Sequence, residues 1–353
     1  MPSPLKVLLL CGSRSTEHQI SLLSCNSVFQ AIDRTRFAPI VVGITLDGIW
    51  KYYGDAPFLE NPDSPETVRL IDDAPPCYPG RTDTGTVLVL PGNAAPIPFD
   101  VAFPVLHGAY GEDGTIQGLF GMFGVPCVGC DFTSSANCMD KAITKTLLEG
   151  VGFRTAPWLA LRKGDPVDVI DIIATRGLPL FVKPAKTGSS VGIRKVTRTE
   201  ELRPALDFAF QYDNKVLIET GIAGREIECA VLEKPDGEIF VAHPGEVVPH
   251  DTFYSYEAKY LNPNGASTYP AARLTSEQSG QVRALAAKAF RVLGCSGFSR
   301  VDFFLTPAGE WVLNEINTIP GFTSISMFPK LFMASGIPYP ELIDTLIGLA
   351  LER

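Results

Sequence analysis

The sequence predicts an α/β and α+β chain in three subdomains, the first built on a mostly parallel sheet. Three observations predict it. Through the first third, short apolar runs bounded by turn residues alternate with helical patterns, as strand–helix–strand units do. From about residue 178 the strand-like runs come in groups, with one long helical stripe among them. The 353 residues, 45% hydrophobic and 20% charged, are enough for two or three domains with substantial cores.

In chain order, "KVLLLCG" (6–12) reads as a strand, "SLLSCNSVFQAID" (21–33) as a helix, and "FAPIVVGITL" (37–46) and "GIWKYY" (48–53) as strands. Residues 54–98 are rich in Pro, Asp and Gly and read as a surface excursion with one short strand, "GTVLVL". "DVAFPVLHG" and "GVPCVG" are again short apolar runs. "DKAITKTLLEGVGF" (140–153) is helical: Ile143, Leu147, Leu148 and Val151 share one face, and Gly150 or Gly152 can end it. "LPLFVKPA", "GIRKV" and "KVLIET" are the strands of a second subdomain; "GREIECAVLE" and "EIFVAHPGEVV" open a third. After a loop at about 250–270, Val282, Leu285, Ala286, Ala289, Phe290 and Leu293 mark the stripe of a long helix that Gly294 closes. "FSRVDFFLT" and "EWVLNEINT" pair as antiparallel strands around a "PAGE" turn, and "PELIDTLIGLALER" is a final helix with Leu342, Ile343, Leu346 and Ile347 inward. The boundaries fall at 1–139, 140–222 and 223–353.

A formal net charge of −9 argues against a nucleic-acid partner, which needs a basic stripe. "VLLLCG" is too short for a signal segment or a membrane span, so no membrane association is expected. The eight cysteines are scattered, several within apolar runs, and imply buried free thiols in a reduced, cytoplasmic protein. The lone "CVGC" (127–130) lacks the second pair or the histidines that zinc requires, and is read as packing.

The chemistry concentrates in three stretches. In "SRVDFFLTPAGEWVLNEIN", Arg300 and Asp302 share a face of one strand, and Glu315 and Asn317 share a face of the next. Paired through the turn, they form a hard-oxygen site suited to Mg²⁺; a surface ion-pair ladder is the alternative, and the apolar flanks count against it. In "LFVKPAKTGSSVGI", a strand ending in Lys183 runs into a Gly-Ser loop whose N–H groups and hydroxyls can cradle an anion. It is not the Walker arrangement, and a plain hairpin turn is an equal alternative. "VLIETGIAGREIECAVLE" places Glu219 at a strand end and Glu226 and Glu228 in the next strand; these suit an adenine amino group and ribose hydroxyls, or are simply solvated. Glu17, in a polar turn, could serve only to cap the helix near Ile20. His107, after an apolar strand, could be satisfied by backbone.

Their order along the chain resembles the ATP-grasp superfamily and, within it, the D-alanine–D-alanine ligases. "STEHQISLLS", "PVLHGAYGEDGTIQG", "CMDKAITK", "FVKPAKTGSSVG", "GREIECAV", "FYSYEAKY", "RVDFF" and "NEINTIPGFTSIS" carry the resemblance over nearly the whole chain. Cys11-Gly12 stands where many relatives have a Gly pair, and Gln19 replaces an acid. The resemblance implies an ATP-grasp fold behind a parallel-sheet domain. It implies ATP phosphates on Lys141 and Lys183 under the Ser189–Ser190 loop, with Asn314 also at the nucleotide. Glu219, Thr220, Gly221 and Ile222 would take the adenine, and Glu226 the nucleoside. Asp302, Glu315 and Asn317 would bind two Mg²⁺ ions, for which Mn²⁺ can substitute; a monovalent cation is left open.

Glu17 would pair with the ammonium of a first D-alanine, with Ser189 and Tyr260 bonded to it across the site, and His107 would lie near that residue's carboxylate. Arg300 and the Gly321 N–H would form an oxyanion hole; Ser326 and the backbone of Met327 would hold the second substrate, with Lys259 beside it. Residues 250–270 would be a lid, whose "EAKY" favours D-alanine over D-lactate as acceptor. A homodimer through the amino-terminal domain is the implied assembly. Two other classes compete: an ATP-grasp ligase with another acceptor, and a nucleotide-binding regulator without catalysis. The Glu17 and His107 segments speak against the first, and the intact metal set and Arg300 against the second.

Overall fold

The computed structural model describes residues 3–83, 85–92, 94–250, 265–323 and 325–353. Its first sheet, order β3-β2-β1-β9, is built from β1 (Leu5–Gly12), β2 (Phe37–Ile44), β3 (Trp50–Gly54) and β9 (Val101–Pro104). β1 runs parallel to both β2 and β9, as the alternating pattern predicts. Residues 7–11 of β1 are wholly buried, and the pleat sorts them between two faces. Val7, Leu9 and Cys11 meet Leu22, Cys25 and Val28 of α1 (His18–Ala31), while Leu8 and Leu10 meet Ile116 and Phe120 of α2 (Thr115–Phe123).

Two expectations are corrected in this part. The excursion holds not one strand but two small antiparallel sheets: β4 (Leu59–Glu60) with β5 (Arg69–Leu70), and β6 (Tyr78–Thr82), β7 (Gly85–Val89) and β8 (Ile97–Pro98). Runs of two to five residues are too short for periodicity to reveal. "GVPCVG" makes only an isolated parallel bridge, Cys127 to Ala102. All eight cysteines are free, and only Cys127 is less than buried.

Next come two short helices, α3 (Phe132–Met139) and α4 (Lys141–Glu149), the latter capped by Asp140, whose side chain accepts from the N–H groups of Ala142 and Ile143. The apolar face read on α4 is turned outward: Ile143 is 41% and Leu147 40% exposed, and Val151 is exposed too. Inward go Ala142, Thr144, Lys145 and Leu148: Ala142 and Leu148 pack into apolar clusters, Lys145 reaches Glu219, and Lys141 lines the polar cleft.

The second sheet is antiparallel, order β10-β13-β11-β12, from β10 (Trp158–Arg162), β11 (Leu180–Pro184), β12 (Arg194–Val196) and β13 (Lys215–Thr220). Helices α5 (Val169–Arg176) and α6 (Leu202–Ala209) cover one face through Leu180, Val182, Leu202 and Leu206. The third sheet runs β17-β16-β14-β18-β19, with β15 on β14. Its strands are β14 (Arg225–Glu233), β15 (Ile239–Val241), β16 (Gly245–Pro249), β17 (Ala266–Tyr269), β18 (Phe298–Leu305) and β19 (Trp311–Asn317). Pro244 separates β15 from β16 within what the sequence read as one apolar stretch.

On one face of the third sheet α7 (Ser276–Val292) buries its predicted stripe against Ile227, Cys229 and Phe303. The opposite face joins α8 (Met327–Ala334) and α9 (Tyr339–Leu351) in a core continuous with α1 and β1. The final helix therefore packs across to the first domain, through Leu342, Ile343, Leu346 and Ile347 as expected. Among the described residues no helix is long and apolar enough to cross a membrane. Lys259 and Tyr260, with most of the expected lid, lie outside the described residues.

Candidate active site

Between the second and third sheets lies a cleft of about 600 Å³. Lys183, at the end of β11, donates to Glu219 Oε2 at 2.7 Å from the adjacent strand β13. On the other side Lys145 Nζ is 3.3 Å from Glu219 Oε1, an ion pair without hydrogen-bond alignment. Burial pushes the Glu219 carboxyl up, but Lys183 and then Lys145 outweigh it and bring it down to about 2. Burial pulls Lys145 below the usual lysine range against the pull of Glu219. Lys183 is held above that range, since Glu219 outweighs burial. The two lysines and the glutamate form one buried cluster in which two cations flank a single carboxylate.

Lys141, one turn before Lys145, donates to Thr187 O at 2.6 Å and stands 4.0 Å from Glu315 Oε2. Thr187 opens the Gly-Ser loop, where Ser189 and Ser190 adopt left-handed φ values of 50° and 60°. Gly188 lets the loop approach Glu17 closely: a Cβ there would lie 2.5 Å from Glu17 Oε2, and the carboxylate would have to shift. The Ser189 hydroxyl donates to Glu17 Oε1. Glu17 makes no side-chain cap to α1, so the capping alternative gives way to a cross-domain contact. Its carboxylate is buried between Gly108 and Gly188, and it combines with burial to keep the nearby Glu112 carboxyl well above its ordinary value.

Thr220, Gly221, Ile222, Glu226, Ser190 and Asn314 also line the cleft. Asp302, Asn317 and Arg300 lie beyond it. In the β18–β19 register Asp302 faces Glu315 and Arg300 faces Asn317. Arg300 grips Asp302 through two bonds (Nε to Oδ1 2.7 Å, Nη2 to Oδ2 2.6 Å), with Glu228 Oε2 3.2 Å from Nε. Asn317 Nδ2 donates to Asp302 Oδ2 at 3.0 Å. Asp302, Glu315 and Asn317 thus gather two carboxylates and an amide at one end of a strand pair, oxygen ligands of the kind Mg²⁺ takes, with both Asp302 oxygens engaged here by Arg300. Among the described residues no three acidic, histidine or cysteine side chains close a metal cage. That is compatible with an ion completing its shell with water and phosphate oxygens.

His107 is bonded within the protein, as in the alternative of a strand-end histidine satisfied by backbone. Both ring nitrogens are engaged by protein: Nδ1 2.9 Å from Ile319 O and Nε2 2.8 Å from Ser24 Oγ. Burial lowers it to about 4, so it is neutral near pH 7. Rather than facing a carboxylate with a spare N–H, it braces the turn after β19. Gly321 sits in that turn, where an added Cβ would come within 3.0 Å of Ser326 Oγ. Ser326 precedes α8, its hydroxyl 2.7 Å from Thr323 Oγ1 and accepting from Thr323 N–H at 3.2 Å. Met327 is the first residue of that helix, where backbone N–H groups lack an i−4 partner.

Lys145 and Ser24 escaped the sequence reading. Lys145 had a signal, its i+4 spacing from Lys141 on one helix face. Ser24 had none, since its partners lie 83 and 298 residues away.

Comparison with known proteins adds family evidence. The family model described as D-ala D-ala ligase N-terminus matches residues 6–130, and that described as D-ala D-ala ligase C-terminus matches residues 147–348. A D-alanine–D-alanine ligase of Proteus mirabilis is 46% identical over 355 residues, covering 99% of this chain and 96% of its own. The structure of VanG D-Ala:D-Ser ligase from Enterococcus faecalis is 36% identical with a TM-score of 0.84, covering 98% of this chain and 99% of its own. A D-alanine–D-alanine ligase from Bacillus anthracis, solved in complex with ATP, has a TM-score of 0.73 at 28% identity, covering 98% and 97%.

Proposed function

The chain belongs to the D-alanine–D-alanine ligase family, and from that premise we propose that it joins two D-alanines into D-alanyl-D-alanine while cleaving ATP to ADP and phosphate. One observation carries the reading: Ser189 of the Gly-Ser loop bonds Glu17 of the amino-terminal domain. That contact joins an anion-cradling loop to a buried carboxylate able to hold a substrate ammonium.

A carboxylate is a poor electrophile, so the γ-phosphoryl group of ATP is first transferred to the first D-alanine, giving an acyl phosphate and ADP. Both reactants are anionic; Lys141 and Lys183 offset their repulsion and align the transfer. Mg²⁺, held by Asp302, Glu315 and Asn317, would when bound neutralise charge on the phosphate oxygens. Glu219 and Glu226, with Thr220, Gly221, Ile222 and Asn314, hold the nucleoside, and Ser190 covers the phosphates. Glu17 fixes the first ammonium. The free amine of the second D-alanine, placed by Ser326, the Met327 backbone and Lys259, then attacks the acyl carbon. Arg300 and the Gly321 N–H receive the negative charge on the tetrahedral oxygen, a donor worth about 3–4 kcal/mol in such sites. Phosphate leaves, taking up the proton that the attacking amine sheds, and the peptide bond remains. Tyr260 and the lid exclude water from the acyl phosphate. We further infer a cytoplasmic homodimer, joined through the amino-terminal domain, that supplies dipeptide for peptidoglycan.

Likeness to a D-Ala:D-Ser ligase favours a second reading, with D-serine as acceptor. Mass spectrometry of products from ATP, Mg²⁺ and mixed D-alanine, D-serine and D-lactate decides between them. D-alanyl-D-alanine should dominate; a D-serine- or D-lactate-terminated product as the main species would overturn the assignment.

A further inference from the structure

The turn that follows β19, residues 319–322, is clamped at both ends by groups from the amino-terminal domain. Chemistry fixes the direction of each bond. A carbonyl only accepts, so His107 Nδ1 carries the proton and donates to Ile319 O at 2.9 Å. The ring is neutral, so its Nε2 is an acceptor and the Ser24 hydroxyl, 2.8 Å away, donates to it. The serine oxygen then accepts from the Phe322 N–H at 3.3 Å. From the other side the Tyr339 hydroxyl donates to Phe322 O at 2.7 Å, and the Phe322 ring is buried among Phe103, Phe298 and Phe328. Ser24, His107 and Phe322 are all essentially inaccessible to water, so none can exchange these partners for solvent. Pro320 and Gly321 are suspended between two fixed residues.

We propose that Ser24 and His107 act as one positioning pair that aims the Gly321 N–H, so that His107 works through the turn and not by holding the first substrate's carboxylate. This rests on the ligase reading above, which assigns Gly321 its role. Its physical basis is the direction of a single backbone dipole. An N–H that acts only on charge developing in the transition state must be oriented before the reaction, and a small rotation of the turn forfeits it. The cleft proposed for ATP is lined by none of Ser24, His107 and Gly321, so nucleotide binding should not sense the change.

The test is a cycle of Ser24→Ala, His107→Gln and the double variant, with His-selective ¹⁵N spectroscopy of the resting protein. Each single variant should lower kcat about 10-fold or more and leave the KM for ATP within about twofold. The double variant should be no worse than the worse single one, because both remove the same brace. In the unsubstituted protein His107 should show a protonated Nδ1 and a bare Nε2, and Ser24→Ala should move the Nε2 resonance. Unchanged kcat in Ser24→Ala, losses that multiply, or a KM effect confined to the first D-alanine in His107→Gln would each overturn the pairing. A protonated Nε2 in the unsubstituted protein would do so even if neither variant folds. Absence of any dipeptide product from the unsubstituted protein counts against the ligase reading instead, and the ¹⁵N result still scores the pair.

Discussion

Glu219 shows how a single residue's environment sets its task. A buried carboxylate flanked by Lys183 and Lys145 stays an anion, able to accept from an exocyclic amine at any ordinary pH. Lys145, only 1% exposed, has no other acidic partner within ion-pair distance among the described residues. Replacing it with Met leaves Glu219 with one cation where two had offset its burial. The expected result is a KM for ATP raised about 10-fold with kcat largely kept, and a loss of about 1–3 kcal/mol in stability. Nucleotide titration calorimetry and urea unfolding check the two parts; unchanged ATP affinity would show that Lys183 alone suffices. The residue scale also shows where spacing misleads. Glu17 sits where an N-cap belongs, yet its carboxylate is bonded to Ser189, 172 residues on.

At the scale of elements, the β18–β19 hairpin and α4 contrast. The hairpin was legible in its faces, because period-two alternation puts Arg300 with Asp302, and Glu315 with Asn317, on shared sides; its register was not, since a shift between Asp302 and Phe303 sets Asp302 opposite Glu315, where the turn alone would set it opposite Asn314. Its expected contribution is direct: Glu315→Gln should abolish Mg²⁺-dependent phosphate release while the circular dichroism and melting profile stay close to those of the parent. Near-normal turnover would remove Glu315 from the metal set. Helix α4 was legible as a helix but not in orientation. Its apolar stripe suggested a buried face, yet of that stripe only Leu148 is buried; Lys145 goes inward to Glu219, and Ile143 and Leu147 are left outward. Amphipathic pattern assumes that the inside is apolar, and it fails where the inside is a charged site.

Across the whole molecule, the shared core of α1, β1, α8 and α9 ties the first domain to the last helices, and His107 lies at that junction. Its folded value of about 4 is below the ordinary 6.5, so between these values the unfolded chain binds the proton that the folded one refuses. Stability is therefore full above about pH 6.5 and falls as the pH drops toward 4. His18, also lowered by burial, adds to the same slope. Glu219, depressed to about 2, adds its loss only from about pH 4.5 downward. Glu112, held well above its ordinary value, acts in the opposite sense, so the His107 share is read by difference: from pH 7 to 4.5 the parent's urea midpoint should fall relative to that of His107→Gln. A slope identical in the variant would mean that His107 titrates normally.

Legible from the amino acids alone were those features whose parts lie close along the chain: the parallel-sheet alternation, the Lys183 strand with its Gly-Ser loop, and the oxygen donors of the β18–β19 pair. Local spacing encodes them because strand and helix periods convert neighbours in sequence into neighbours on a face. Three-dimensional packing alone settled the rest. It chose the buried side of α4, brought Lys145 to Glu219, and closed the Ser24–His107 brace on a turn nearly three hundred residues downstream of Ser24. Such contacts follow from how separate sheets dock. No periodicity within either segment records them, because each partner is an unremarked polar residue until the other arrives.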